Sequence, residues 1–375
     1  MSTGNIHHST CSVIPPHILR HVAEHGDDDS RETIAATLLH TARIKDERTN
    51  TLIDEPAAHS PRKERSVYDA SHKHTLPGKL LMDEGKIVRR DFEAKEAFDG
   101  SGATYDFYAK IFLRNSIDGR GMPMISTVHY GQRFDNAMWN GKQMIYGDGD
   151  GKLFTRFTGA IDVIGHELTH GVTQHEAALE YHDQSGALNE HISDAFGMMV
   201  KQQWLGLRPA DSDWIIGVGL FAPGIKGKGV RSMKDPGTAY DDPLLGKDPQ
   251  PAHMKNYVDG AEDNGGVHIN SGIPNRAFYL IATALSDYTW KVAGRIWYQT
   301  LLDGLFPQAG FQDFANATVT MAGVLYGAGG QVQTIVAEAW SAVGLPVSPG
   351  ILKPGGGSAV PERKWRDRPA AASRA

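Results

Sequence analysis

Near its midpoint the chain reads Ile161-Asp162-Val163-Ile164-Gly165-His166-Glu167-Leu168-Thr169-His170, and this stretch decides how the remaining sequence is interpreted. A helix over these residues places His166 and His170 one turn apart on one face, where two imidazoles can share a metal ion. Glu167 projects beside that face, near enough to reach a water molecule on the metal. Because nitrogen ligands suit zinc better than calcium or magnesium, which prefer oxygen, the stretch predicts two ligands of a zinc ion.

A third ligand distinguishes this prediction from a helix that happens to carry two histidines. The long zincin pattern would place glycine at position 173 and histidine at 176, but the chain has Thr173 and Glu176 there. A second helical pattern instead contains Glu190, twenty residues after His170, with Asp194 one turn further along the same face. Two histidines, one glutamate and an open fourth position are typical of a catalytic zinc site rather than a structural one.

Further motifs resemble, in order along the chain, the thermolysin family of zinc endopeptidases, the standard example of this ligand set. Besides the helix, they are Asn136 to Gly141, Tyr146 to Gly151, Gly186 to Asp194, Arg231 to Met233 and Asp263 to Gly272. The resemblance spans about residues 65 to 345. It implies an α+β fold with a β-rich N-terminal catalytic domain at 51–180, ending in the zinc-binding helix, and an α-helical C-terminal catalytic domain at 181–345.

Local patterns agree with this division. Between Ser66 and Asp150 the sequence is turn-rich and alternates in short stretches, which predicts mostly strands. Helical periodicity predicts that the second half is α-helical; the patterns lie at 188–204, 271–286, 289–302, 310–325 and 330–342.

The resemblance also implies a role for each site residue. Glu167 takes a proton from the zinc-bound water and later delivers it to the leaving amine. Tyr181 and His268 stabilise the developing oxyanion, and Asp263 holds the imidazole of His268. Without the family pattern, Tyr181 would be interpreted as core or surface. The two zinc-binding histidines are oriented by Asp194, for His166, and Asn189, for His170.

Substrate-binding residues follow from the same resemblance. Asn136, Ala137 and Trp139 form an edge along which a peptide adds as an extended strand. Arg231 holds the carbonyl just past the scissile bond. The adjoining pocket is entirely apolar and implies cleavage on the amino side of large hydrophobic residues; it maps to Phe154, Phe157, Val163, Ile216, Leu220 and Val230.

The paired calcium site of the family is predicted to be absent. The matching positions hold Asp162, Lys201, Asp213, Ile215 and Val218, where calcium would need a cluster of carboxylates. The hypothesis is that the ammonium of Lys201 replaces the ion; the alternative is an exposed lysine on a helix. A further family calcium position is occupied by Lys228.

Residues 1–50 have the character of a separate unit. A Pro15-Pro16 segment leads into short helical patterns, and a charged stretch from Asp46 to Arg65 has the composition of an exposed linker. This resembles the short propeptide of protealysin-like members; a mobile regulatory tail is the alternative. We expect the segment to pack on the mature enzyme and to be removed by self-cleavage in the linker. Two alternatives remain for Cys11. Its thiolate could occupy the fourth zinc position. Alternatively, Cys11 is a small buried residue, and Ile14 to Leu19 dock the segment.

Composition limits the remaining possibilities. The 375 residues are 40% hydrophobic and carry a net charge of −6, which gives no reason to expect a nucleic-acid partner. A single cysteine excludes internal disulfides. No apolar run reaches the length of a membrane span, and the N-terminus lacks the pattern of a classical signal peptide. We expect a monomer, secreted by another route or, alternatively, cytoplasmic, with a disordered tail at 346–375.

Two other functional classes are compatible with a helix that carries this motif. A catalytically silent binding protein with this fold would be favoured by loss of Glu167 or of a ligand, and all are present. A zinc enzyme acting on something other than peptides is disfavoured by the Asn136, Ala137 and Trp139 edge and by Arg231. The predicted partners are therefore peptide and protein substrates and the chain's own propeptide.

Overall fold

The computed structural model describes residues 12–49, 60–86, 90–285 and 287–348. Helices dominate the chain, and the short strands fall mainly in its first half. The helices are α1 (Pro16–His25), α2 (Asp28–Thr49), α3 (Phe92–Phe112), α4 (Ile161–His175), α5 (Asp183–Leu205), α6 (Asp263–Asn270), α7 (Gly272–Ala284), α8 (Ala293–Asp303), α9 (Phe311–Tyr326) and α10 (Gln331–Ala342). None of those described is long and apolar enough to cross a membrane.

The principal sheet contains five strands in the order β2-β1-β3-β5-β4 and is mixed. The β1–β3 and β3–β5 pairs are parallel, whereas β1–β2 and β4–β5 are antiparallel. The strands are β1 (Arg65–Asp69), β2 (Lys79–Asp83), β3 (Met124–Val128), β4 (Ala137–Trp139) and β5 (Met144–Tyr146). Short two-stranded ladders pair β6 (Ile215–Ile216) with β7 (Arg231–Ser232) and β8 (Asp241–Asp242) with β9 (Gly246–Lys247). Strand β4 lies at one end of the principal sheet, beside the helix α4.

Helix α3 corrects the expectation of mostly strands between residues 66 and 150. Its first turn is capped by the side chain of Asp91, which accepts a hydrogen bond of 2.8 Å from the amide of Ala94. Near its middle, Gly100 lies so close to α4 that an added Cβ would come within 2.3 Å of Ile164 Cδ1. Glycine fits here without displacing Ile164, but it is a poor helix former and weakens the helical signal in the sequence.

Helices α4 and α5 pack against each other across the centre of the molecule. Their approach is so close that a Cβ on Gly197 would lie 2.4 Å from the carbonyl oxygen of Asp162. This contact brings the inner face of α5, with Glu190, against the face of α4 that carries His166 and His170.

The predicted helical second half is present as α5 and α7 to α10, with bounds close to those read from the sequence. Aromatic side chains fill the space between these helices. Trp297 and Trp340 stack with their ring centroids 6.2 Å apart, and Phe278 packs on Trp297 at 5.0 Å. These helices thus pack behind α5.

The N-terminal helices α1 and α2 pack on the rest of the chain. Ile18, Leu19 and Val22 of α1 are buried in the same apolar cluster as residues of α4 and α5. Asp29 of α2 forms a bidentate ion pair with Arg133 at 2.7 and 2.8 Å. The predicted linker lies partly outside the described residues. So does the predicted tail at 346–375, of which only residues 346–348 are described, with Val347 buried.

Candidate active site

Three buried side chains from two helices converge on one point. Nε2 of His166 lies 3.0 Å from Nε2 of His170. Oε2 of Glu190 is 3.5 Å from Nε2 of His166, and Oε1 of Glu190 is 3.5 Å from Nε2 of His170. Ligands held about 2.0–2.1 Å from a tetrahedral ion are about 3.3–3.4 Å from one another. The two Nε2 atoms and one oxygen of Glu190 therefore lie close enough together to bind one zinc ion, as the sequence predicted.

The outer nitrogens of both histidines face hydrogen-bond acceptors. Nδ1 of His170 lies 2.8 Å from Oδ1 of Asn189, and Nδ1 of His166 lies 2.8 Å from Oδ1 of Asp194. With the protons on Nδ1, the two Nε2 lone pairs point at each other at 3.0 Å. Oε2 of Glu190 is buried and has no hydrogen-bond partner among the described residues. A cation between these atoms removes the repulsion and satisfies the carboxylate, so the residues fit a metal ion.

Glu167 is fully buried and is held by the neighbouring edge strand. Its Oε2 accepts a hydrogen bond of 2.9 Å from the backbone amide of Trp139. The sequence pattern predicts Trp139 only as part of the substrate edge. Its role in holding Glu167 is carried by a backbone N–H, which no side-chain motif reveals.

Tyr181 and His268 lie on the opposite side of Glu190. The Tyr181 hydroxyl donates to Oε1 of Glu190 and lies 3.2 Å from Nε2 of His268. Nδ1 of His268 contacts Asp263 at 2.6 Å, and the backbone amide of His268 donates to the same carboxylate at 2.9 Å. Burial alone would lower the pKa of His268, but the nearby carboxylates of Asp263 and Glu190 raise it above its ordinary value. His268 is therefore suited to donate from Nε2.

The carboxylate of Asp194 contacts three side chains that are distant from one another in the sequence. Arg231 forms a bidentate pair with it at 2.8 and 2.8 Å, and the amide of Asn275 donates to it at 2.8 Å. Burial opposes the charges, but the interaction with Asp194 raises the pKa of Arg231. The carboxylate thus orients His166 and Arg231 together. Asn275, 81 residues from Asp194 in sequence, carries no motif that could have revealed it.

The predicted substrate edge and pocket adjoin these residues. Asn136 and Ala137 belong to the edge beside α4, and both are buried under the N-terminal segment. The side chains of all six predicted pocket residues are at most 1% exposed and lie in the apolar core. These residues are Phe154, Phe157, Val163, Ile216, Leu220 and Val230.

The N-terminal segment lies along the substrate edge, in the cleft beside the metal site. The amide of Ile14 donates to Oδ1 of Asn136 at 3.1 Å, and the amide of Val13 donates to the carbonyl of Ala137 at 3.1 Å. Cys11, the predicted alternative zinc ligand, lies outside the described residues.

A second group of potential ligands, Asp91, Glu93 and His129, lies at the start of α3. Here both ring nitrogens of His129 contact carboxylates, Nδ1 at 2.9 Å from Asp148 and Nε2 at 3.3 Å from Asp91. The hydrogen bond to Asp148 leads the interactions that raise the pKa of His129 to about 9. A protonated imidazole offers no lone pair to a metal, so this group is an ion-pair cluster near neutral pH.

The fold and the ligand set together define a metallopeptidase with a helix-borne pair of histidines and a distant glutamate. Residues 39–174 match the model of the thermolysin metallopeptidase catalytic domain, and residues 177–345 match its alpha-helical domain. Residues 11–49 match the protealysin propeptide. The chain belongs to the thermolysin family of metalloproteases.

Individual relatives agree with the family assignment. The chain is 51% identical over 349 residues to an extracellular metalloprotease of Pectobacterium carotovorum, covering 90% of this chain and 97% of the relative. It is 46% identical over 343 residues to protease PrtS of a Photorhabdus strain, covering 89% and 92%. The structure of the precursor of protealysin, a metalloproteinase from Serratia proteamaculans, superimposes with a TM-score of 0.82 at 50% identity, covering 89% of this chain and 99% of that one.

Proposed function

We propose that the chain is the precursor of a zinc endopeptidase that cleaves on the amino side of large hydrophobic residues and acts as a monomer outside the cell. The observation that carries the proposal is the convergence of ligand atoms of His166, His170 and Glu190, on the helix that also carries Glu167. A zinc ion held there supplies a Lewis acid for the substrate carbonyl and an acidified water molecule.

The other site residues would each act on the peptide or its proton. Glu167, fixed by the Trp139 amide, accepts the proton of the attacking water and transfers it to the leaving nitrogen. The Tyr181 hydroxyl and Nε2 of His268 donate to the oxygen on which negative charge develops. Arg231, immobilised by Asp194, binds the carbonyl that follows the scissile bond.

Specificity is assigned to the predicted apolar pocket, formed by the six residues named above. Burying an aliphatic or aromatic side chain there contributes about 1.5–3 kcal/mol, whereas an unpaired charge would be costly. The buried Phe157, Leu220 and Val230 supply no partner for such a charge.

Residues 1–50 are proposed to be an inhibitory propeptide that is removed by cleavage in the linker. Its described part buries Val13 and Ile14 against the substrate edge and so covers the residues to which a peptide would bind.

Calcium is proposed to be dispensable at the family's paired site. The ammonium of Lys201 contacts Asp213 at 2.9 Å, Asp162 at 3.3 Å and the carbonyl of Ile215 at 2.9 Å. These oxygens are the kind of donors that a calcium ion requires, and a lysine charge already balances them.

The proposal is tested with the substitution Glu167→Gln. Glutamine keeps the shape of the side chain but cannot accept the proton, so kcat on casein or a peptide should fall by at least about 100- to 10,000-fold. Zinc content measured on the same preparation should remain at one ion per chain, because all three ligands remain. Glu338→Gln, at an exposed position on α10, is the matched control and should leave both values unchanged. Near-normal turnover by Glu167→Gln would exclude the proposed mechanism.

A further inference from the structure

Backbone groups of the N-terminal segment occupy the polar positions that the proposed function gives to a substrate. Besides the contacts of Val13 and Ile14 with the substrate edge, two carbonyl groups of the segment are bound. Nη1 of Arg231 donates to the Val13 carbonyl at 3.2 Å, and Nε2 of His268 lies 3.1 Å from the Ser12 carbonyl.

These two contacts independently determine which peptide bond is presented. Arg231 is assigned to the carbonyl just past the scissile bond, which makes Val13 the residue on the leaving side. His268 is assigned to the oxygen of the reacting carbonyl, which is that of Ser12. A shift of one residue in either direction would break both assignments, so both contacts select the Ser12–Val13 bond.

The side chain of Val13 agrees with this alignment. It is fully buried within the apolar core. A branched aliphatic residue is therefore present where the proposed specificity requires a hydrophobic one.

We propose that the Ser12–Val13 peptide bond is a self-cleavage site, hydrolysed by the active site of the same chain. This inference rests on the proposed function and adds a bond distinct from the linker. The oxygen of a water molecule joins the Ser12 carbonyl carbon, and the bond from that carbon to the Val13 nitrogen breaks. Glu167 takes one proton from the water and transfers it to the nitrogen, and the second proton of the water is then passed from the new carboxylic acid to the amine, leaving a carboxylate on Ser12 and an ammonium group on Val13.

Cleavage at this bond trims the segment without releasing it. Every other described contact of the segment lies after the bond, including the buried Ile18 and Leu19 and the pair between Asp29 and Arg133. An ion pair of 2.9 Å between Arg20 and Glu262 also remains. The residue that begins the trimmed segment, Val13, would thus stay in the cleft and continue to inhibit the enzyme until the linker is cut.

The test follows the full-length, zinc-loaded chain by intact mass and amino-terminal sequencing. We expect a new amino terminus at Val13, formed at a first-order rate that does not change over a tenfold range of chain concentration. Glu167→Gln should keep the bond intact. A rate that rises with chain concentration would show cleavage between molecules and would overturn the inference.

A pair of substitutions at Val13 tests the alignment. Val13→Leu should still be cut after Ser12, whereas Val13→Asp should be cut there at least tenfold more slowly because its charge opposes burial. Equal cleavage of both variants would overturn the proposal. A wild-type preparation that becomes active on casein while its Ser12–Val13 bond stays intact overturns this inference alone. One that binds zinc and cleaves neither casein nor itself contradicts the proposed function as well.

Discussion

The ammonium group of Lys201 lies among two carboxylates and a backbone carbonyl, a donor set that could otherwise bind a cation. Asp162 is only 2% exposed, and burial is the main reason that its pKa is raised even with Lys201 beside it. Asp213 is largely accessible, so it loses less if the lysine is removed. The ammonium group of Lys201, which is part of the chain, can thus hold together the start of α4 and the loop after α5.

Lys201→Met tests this role. Removing the charge leaves Asp162 buried without its cation, which should lower the free energy of unfolding by about 3–5 kcal/mol. Thermal unfolding at pH 7 measures the loss, and Lys255→Met, at an exposed position, should leave Tm unchanged. The wild-type Tm should be the same with millimolar calcium and with a calcium chelator when free zinc is held constant. A rise of several degrees on adding calcium would show that an ion is bound after all.

At the scale of elements, the predictable parts of the site are those that one helix places together. The spacing of His166 and His170 fixes their common face, and the step from Glu190 to Asp194 does the same on α5. The position of α5 against α4 is different, because it depends on a backbone approach at Gly197 that no periodicity encodes. The same applies to the Trp139 amide that holds Glu167.

The missed helix α3 has a related cause. Its sequence satisfies packing against α4 at the expense of local helix propensity, as Gly100 shows. A closely packed glycine weakens a helical pattern without always removing it, since the pattern at 188–204 is recovered although it contains Gly197.

Gly197→Ala should separate the two helices of the metal site. The added Cβ would lie 2.4 Å from the carbonyl oxygen of Asp162 and 3.0 Å from the amide nitrogen of His166, so backbone must move. Overpacking of this kind costs about 1–3 kcal/mol. We expect a lower Tm and weaker zinc binding in a competition titration with a chelator, because Glu190 moves away from the two histidines.

Gly260→Ala is the control, since a Cβ there has no atom within 4 Å. It should change neither Tm nor zinc affinity. Unchanged zinc affinity in Gly197→Ala would mean that the ligand spacing does not depend on this helix contact.

At the scale of the whole molecule, the N-terminal segment and the catalytic part share one interface, and His17 lies within it. Its Nε2 is 2.8 Å from the hydroxyl of Tyr240, and Nδ1 is enclosed without a hydrogen-bond partner among the described residues. Burial is the main cause that lowers the pKa of His17 to about 4, and the charges of His268, Arg20 and Arg231 act in the same direction. Asp263 opposes them.

Docking of the segment should therefore weaken as the pH falls from about 6.5, where an unburied histidine titrates, to about 4. Above that range His17 is neutral in both states, and below it the penalty is constant. With these two values the docking equilibrium at pH 5 should be about 30-fold less favourable than at pH 8. Asp135, whose pKa burial raises to about 8, titrates in the opposite sense, since a protonated carboxyl favours the buried state.

A comparison with His17→Leu isolates the histidine from Asp135 and from every other titrating group. Both variants would be made in the full chain carrying Glu167→Gln, so that no cleavage releases the segment. Hydrogen exchange of the α1 amides, corrected for the intrinsic effect of pH, should lose about 30-fold in protection between pH 8 and 5 when His17 is present. The leucine variant should lack this loss because its side chain cannot be protonated. If both chains lose protection equally, another group controls docking and the pH dependence does not come from His17.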